Sequence, residues 1–162
     1  MKDIVHGDLK PNNVLIFKAN NDGFLAKIAD LGYSTQVSDN APLRVSTKQP
    51  WADPQYKGEW IDFDSAKKMD AYSFGMICAW MMSHYFPLPT DSRQAAMASP
   101  SSAMHKDTDG PKLDNFAKLL DDVPDIPSDL RRVLSLSLEP NRNNRCADFS
   151  VFLRLLGRPG YL

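Results

Sequence analysis

Two strand-forming runs, Val14-Leu15-Ile16-Phe17 and Phe24-Leu25-Ala26-Lys27-Ile28-Ala29, flank the tetrapeptide Asn20-Asn21-Asp22-Gly23. Apolar and β-branched residues on either side of an Asp-Gly turn predict a β-hairpin. Such a hairpin carries Asn13 at the open end of one strand and Asp30 at the open end of the other. Residues distant in sequence thereby reach one place. Asn13 closes the stretch His6-Gly7-Asp8-Leu9-Lys10-Pro11-Asn12-Asn13, and Asp30 opens Asp30-Leu31-Gly32.

The hairpin therefore gathers an aspartate, a lysine, an asparagine and a second aspartate. Asp8 can accept or orient a hydroxyl proton, and Lys10 can neutralise charge on a moving phosphate. Asn13 and Asp30 offer oxygens to magnesium. Phosphoryl transfer needs positioning and charge neutralisation more than covalent chemistry, and these side chains supply both.

At 162 residues, with 43% hydrophobic and 24% charged residues, the chain has room for one globular domain or part of a larger one. A net charge of -1 gives no general attraction to nucleic acid or an anionic membrane, so neither is expected as a partner. The longest apolar run, Phe74 to Met82, is too short to span a bilayer and reads as part of a buried helix. Cys78 and Cys146 lack metal-ligand spacing. With no targeting segment visible at Met1-Lys2-Asp3, the expected location is intracellular, cytoplasmic or nuclear.

Tyr33 to Lys48 reads as a long polar loop with Ser34, Thr35, Ser38, Ser46 and Thr47. Gln49 to Tyr56 is an ordered turn in which Trp51 anchors the loop. Ser65 to Met82 is the strongest helix, apolar nearly all round, which places Met76, Trp80, Met81 and Met82 in a core. Pro87 and Pro89 end it. A loop or weak helix over Thr90 to Gly110 follows, then a short amphipathic helix at Leu113, Phe116, Leu119 and Leu120. Ser128 is expected to cap a helix to about Leu138, and a last helix runs from about Ala147 to Leu156. The fold class is mainly α within α+β: a helical bundle with a small hairpin carrying the catalytic and metal loops. His6 reads as a packed scaffold histidine.

With these residues in order, the chain resembles the C-terminal, catalytic-loop lobe of a eukaryotic-type protein kinase, of a filamentous-fungal serine/threonine group. The pattern H-x-D-x-K-x-x-N matches His6, Asp8, Lys10 and Asn13, and Asp30-Leu31-Gly32 stands for the Asp-Phe-Gly motif. Asp53-Pro54-Gln55 stands for Ala-Pro-Glu, and Asp70, Tyr72, Ser73, Phe74 and Gly75 match the start of the central helix. The resemblance implies a catalytic and metal region at 1–32, an activation segment at 33–56 and a helical subdomain at 57–162. It makes Asp8 the catalytic base and Lys10 the contact to the transferred phosphate. ATP and Mg2+ are the implied cofactors, with Lys10, Asn13, Asp30 and Leu15 on the nucleotide side and Asn13 and Asp30 on the metal. Asp70 would hold the catalytic-loop backbone. His6 and Leu31 would stack in a spine, beside a column of Leu15, Ile77 and Met81. Lys10 points to serine/threonine specificity. The full-length form would transfer the γ-phosphate of ATP to a hydroxyl of a protein substrate or docking partner; the oligomeric state is left open.

The departures from the pattern matter as much. Gly7 replaces the arginine that would receive an activation-loop phosphate. Gln55 replaces the glutamate expected to pair with a late arginine, here Arg145, which weakens that link. A glycine-rich loop, strand lysine, helix glutamate and hinge are not found, nor is the helix that precedes the catalytic loop. The chain alone is therefore expected to be inactive, with part of the Phe74 to Met82 surface uncovered. Two other readings stay open. One is a pseudokinase-like regulatory or docking module. The other is a small-molecule phosphotransferase of the aminoglycoside or choline type, which shares His-Gly-Asp but not the segment ending at Trp51-Pro54.

Overall fold

A computed structural model describes residues 4–19, 23–36, 41–85 and 126–157. The turn residues Asn20 to Asp22, Pro87 and Pro89, the Thr90 to Gly110 segment and the helix expected at Leu113 to Leu120 lie outside the described residues. The strands are β1 (Ile4–Val5), β2 (Val14–Lys18), β3 (Phe24–Ile28) and β4 (Thr35–Gln36). The helices are α1 (Phe63–Tyr85), α2 (Ser128–Ser137) and α3 (Phe149–Leu155), with 3-10 turns at Pro11–Asn13 and Arg142–Asn144.

The expected hairpin is present. β2 and β3 pair antiparallel from Val14↔Ile28 to Lys18↔Phe24, and Ala19 N–H donates to the Gly23 carbonyl at 2.9 Å to close the loop. Its strands are largely open to solvent, Phe24 being 80% exposed. β1 pairs antiparallel with β4, bringing Val5 opposite Thr35 and placing the two motif loops side by side.

α1 is the axis of the fold. Asp62 caps it, accepting from the Ser65 N–H at 2.8 Å and the Ser65 hydroxyl at 2.6 Å, so the helix starts at Phe63 rather than Ser65. Three apolar clusters surround it. Val5, Leu43, Val45, Tyr56, Ile61, Ala66 and Met69 fill the side facing β1 and the loop after β4. Tyr72, Met76, Ala79 and Met82 pack on Ile126, Leu134 and Leu138. Ala71 meets Val133 and Phe152, with Phe74 stacked on Phe152 at 5.7 Å between ring centroids. Gly75 permits the close approach of α2: a β-carbon there would lie 2.9 Å from Leu138 Cδ2 and closer still to the Ser137 hydroxyl.

Three local expectations are corrected. Trp80 and Met81 are not core residues, being 40% and 48% exposed. At 100° per residue, Met81 falls opposite the Met76–Ala79–Met82 face and Trp80 on its flank, where its ring meets Trp51 edge-on. Ser128 does not cap α2; it is the first helical residue, and Pro127 occupies the cap position with no side-chain bond. α3 starts at Phe149, because the Asp148 carboxylate accepts from the Ser150 N–H at 2.9 Å. No helix among the described residues is long and apolar enough to cross a membrane.

Candidate active site

The loop after β1 is held from below by α1. Asp70, buried in that helix, accepts from the His6 N–H at 2.6 Å and the Gly7 N–H at 2.9 Å. Burial pushes its carboxyl above the usual range, against the pull of those two amides. The loop is pinned on its other side by His6. Its Nε2 lies 3.0 Å from the Ala29 carbonyl, and its Nδ1 accepts from the Asp8 N–H at 3.3 Å. With Nδ1 accepting, the ring proton sits on Nε2 and is donated to Ala29. His6 thus ties the loop after β1 to the end of β3, as a scaffold.

Gly7 has a φ of 77°, the left-handed region, and a β-carbon there would lie 2.9 Å from the Tyr33 carbonyl oxygen. Glycine is the residue this turn accepts. After it, Asp8 is buried and ion-paired through Oδ2 with the Lys10 ammonium. Lys10 precedes Pro11 and is fully extended, as a pre-proline residue should be, which turns the chain back between Asp8 and Asn13. Burial opposes the Asp8 charge, but hydrogen bonds from Lys10 and Ser46 and the charges of Lys10 and Lys48 outweigh it and hold the carboxyl below the usual range. The hydrogen bond to Asp8 raises Lys10 in turn, with Asp30 adding a smaller attraction.

Asn13 is buried and its amide nitrogen donates to the Asp8 carbonyl at 2.9 Å, leaving the carboxamide oxygen as its remaining ligand atom. The Asn13 carbonyl accepts from the Ala29 N–H at 2.9 Å, so Asn13 and Asp30 flank the hairpin mouth. Asp30 has a φ of 62°, with Oδ1 accepting from the Gly32 N–H at 3.3 Å. Its carboxylate is exposed. Magnesium takes one or two protein oxygens and completes its shell with phosphate and water. The Asn13 carboxamide and Asp30 carboxylate fit that chemistry. Among the described residues no group of three or more His, Cys, Asp or Glu forms a metal cage by itself.

Leu31 is 67% exposed, so the stack expected with His6 does not bury it, and Leu15 and Met81 of the adjoining column are 46% and 48% exposed. All three lie on open faces, Leu31 in the loop after β3, Leu15 on β2 and Met81 on α1.

The segment after β4 closes the site. The Ser46 N–H donates to the Gly7 carbonyl at 2.7 Å, and the Ser73 hydroxyl of α1 donates to the Trp51 carbonyl at 2.8 Å. Here the expected weakening is overturned. Asp53, not residue 55, supplies the buried carboxylate: its Oδ2 lies 2.7 Å from Arg145 Nη1 and 2.9 Å from Arg142 Nε. The exposed Gln55 contributes only its N–H, to Asp53 Oδ1 at 2.8 Å. Burial works against the Asp53 charge, yet the bonds and charge from Arg145 and the bond from Arg142 hold its carboxyl below the usual range. Arg145 also donates to the Glu139 carbonyl and lies 4.9 Å over the Tyr72 ring. Sequence reasoning missed Asp53, Arg142, Ser46 and Lys48. The available signal was Arg142 and Arg145 close after Pro140 and only one acidic residue between Trp51 and Lys57 to meet them.

A lysine-paired aspartate beside two candidate oxygen ligands, on a loop clamped by a helix aspartate, fits the chemistry of phosphoryl transfer. A family model for the protein kinase domain matches residues 1–153. The chain belongs to that family, whose members in general use ATP and Mg2+. Among similar proteins, calmodulin-binding receptor-like cytoplasmic kinase 2 of Arabidopsis thaliana is 25% identical over 151 residues, 88% of this chain and 35% of the relative. The probable serine/threonine-protein kinase gdt8 of Dictyostelium discoideum is 34% identical over 46% of the chain and 5% of its own length. PTI1-like tyrosine-protein kinase 1 of Arabidopsis thaliana is 33% identical over 46% of the chain and 20% of its own length. The chain therefore spans about a third or less of each of these relatives.

Proposed function

We propose that this chain is the catalytic-loop lobe of a serine/threonine protein kinase, acting on protein hydroxyls in a polypeptide that also supplies a nucleotide-binding lobe. The observation that carries the reading is Asp8: buried, ionised, paired with Lys10 and fixed through Asn13 and the Asp70-clamped backbone. Asp8 would accept or orient the proton of the acceptor hydroxyl. Lys10, shared between Asp8 and the incoming phosphate, would hold charge at the transfer point. Asn13 and Asp30 would hold magnesium at the hairpin mouth, and Leu15 would lie on the nucleotide side. Bound Mg-ATP supplies the phosphoryl group and the counter-charge to it. Lys10 supports the serine/threonine class, and an intracellular location accords with that chemistry. The chain by itself is proposed to be inactive, since these 162 residues hold no glycine-rich phosphate loop.

A docking module is the second reading, favoured by the exposed apolar hairpin and by Gly7. The Asp53–Arg145 pair removes one of its supports, because the link that Gln55 had put in doubt is made by another residue. The test compares the isolated chain and a longer polypeptide containing it, each with Mg-ATP and a generic serine substrate, against Asp8→Asn. Transfer by the longer form that falls at least about 100-fold in Asp8→Asn supports the kinase reading. Asp8-dependent transfer by the isolated chain would overturn its proposed inactivity. Absence of transfer and of nucleotide binding in both forms favours the docking module.

A further inference from the structure

The catalytic carboxylate meets a second lysine that no motif assigns. Lys48 Nζ lies 3.9 Å from Asp8 Oδ2, beyond hydrogen-bond distance, and its side chain is 63% exposed while that of Asp8 is 5% exposed. Asp8 is already satisfied by Lys10 and Ser46. At this distance the screened attraction of an exposed lysine is weaker than the rotamer entropy lost by holding its side chain in one geometry. Its ammonium is therefore available to another anion.

The backbone beneath it is not free. The Lys48 N–H donates to Ser46 Oγ at 3.3 Å, and its carbonyl accepts from the Ala52 N–H at 3.0 Å. The segment is tied to the catalytic loop at Ser46–Gly7 and to α1 at Trp51–Ser73. Lys48 is thus an exposed cation on a hydrogen-bonded base, at the lip of the cleft lined by Gly7, Asp8, Ser46 and Trp51.

We propose that Lys48 is a specificity-determining residue that selects acceptor segments carrying an anionic side chain, carboxylate or phosphate, next to the hydroxyl presented to Asp8. The proposal rests on the kinase reading for the presence of that acceptor. A hydroxyl within about 3 Å of Asp8 places its neighbours, about 3.8 Å away per residue, within reach of Lys48. An uncharged neighbour offers the Lys48 ammonium no counter-charge, and a basic one repels it.

The test is peptide binding by fluorescence anisotropy at low salt, with serine peptides flanked by glutamate, phosphoserine, alanine or lysine. Wild-type chain is expected to bind the glutamate and phosphoserine peptides about fivefold or more tighter than the alanine peptide, the phosphoserine arm showing whether the second charge adds. Lys48→Ala is expected to remove the preference, and Lys48→Glu to turn it towards the lysine peptide. A preference that survives Lys48→Ala, no preference in wild type, or no binding of any peptide overturns the proposal. Phosphoryl transfer is read separately in the longer polypeptide, so lost transfer with retained selectivity sinks the kinase reading alone.

Discussion

Asp53 and Arg145, 92 residues apart in sequence, meet at 2.7 Å with their side chains 0% and 1% exposed. One buried bond fastens the segment that closes the active site to the turn that leads into α3. Removing one partner of such a pair leaves an uncompensated buried charge, which costs about 3–5 kcal/mol. Asp53→Ala is expected to lower stability by that amount in urea unfolding. Gln55→Ala, at an exposed side chain, is expected to stay within about 0.5 kcal/mol. Equal effects at the two positions would refute the assignment of the pair to Asp53.

The same pair sets part of the acid response. Asp53 is held below its unfolded value, so its stabilisation is fully present above about pH 4 and is lost as pH falls through the lower folded value. Asp70 has the opposite sign: its raised carboxyl favours the proton, so its contribution weakens as pH rises above about 4. The stability gap between wild type and Asp53→Asn should therefore narrow on acidification from neutral pH towards about pH 3, as read from urea midpoints. A gap independent of pH would show that Asp53 is not the linked group.

Restoring arginine at Gly7 should harm the protein. The φ of 77° and the approach of a β-carbon to the Tyr33 carbonyl at 2.9 Å strain any side chain there. Gly7→Ala is expected to cost about 1–3 kcal/mol, and Gly7→Arg at least as much, as a fall in melting temperature. A neutral Gly7→Arg would mean that the turn relaxes.

Gly75 poses a contest of two effects. Alanine in a helix interior gains about 1 kcal/mol over glycine in propensity. Overpacking against Leu138 at 2.9 Å costs about 1–3 kcal/mol. Sterics should win, so Gly75→Ala is expected to be destabilising by up to about 2 kcal/mol. A stabilised variant would show that α1 and α2 can part at no cost.

Asp70→Asn tests the clamp under the catalytic loop. Asparagine keeps the shape but offers one oxygen for the two N–H groups at 2.6 and 2.9 Å. A buried amide left without an acceptor costs about 1–3 kcal/mol. The His6 and Gly7 amides should lose hydrogen-exchange protection in the variant, while those of α3 keep theirs.

What could be read from the sequence was local. The two apolar runs either side of a turn signal pointed to the hairpin, and the pairing of Val14 with Ile28 puts Asn13 and Asp30 at one mouth. Asp70 was legible through the family resemblance of the helix start, and it bonds the His6 and Gly7 amides directly. The choice between Asp53 and Gln55 was not, since it depends on the path of an irregular segment and on which side chain that path turns inward. Lys48 was hidden for the same reason: no period or spacing marks a loop residue whose neighbour is 40 positions back. Trp80 and Met81 misled because an apolar run has no face until its packing partners are known.

The hairpin's openness bears on timing. A two-stranded ribbon whose large apolar residues remain wet gains little from burial, and such ribbons are marginal alone. Asn13 and Asp30, at its base, are held by a hard anchor on one side, the Asp8 carbonyl and His6, and by a soft one on the other. Asp8 thus sits on the loop that α1 and His6 clamp, and Asn13 and Asp30 border the ribbon whose apolar side chains stay wet. Whatever docks on the ribbon would quieten it, and the order in which ligands assemble would then be written into the stiffness of two adjacent loops.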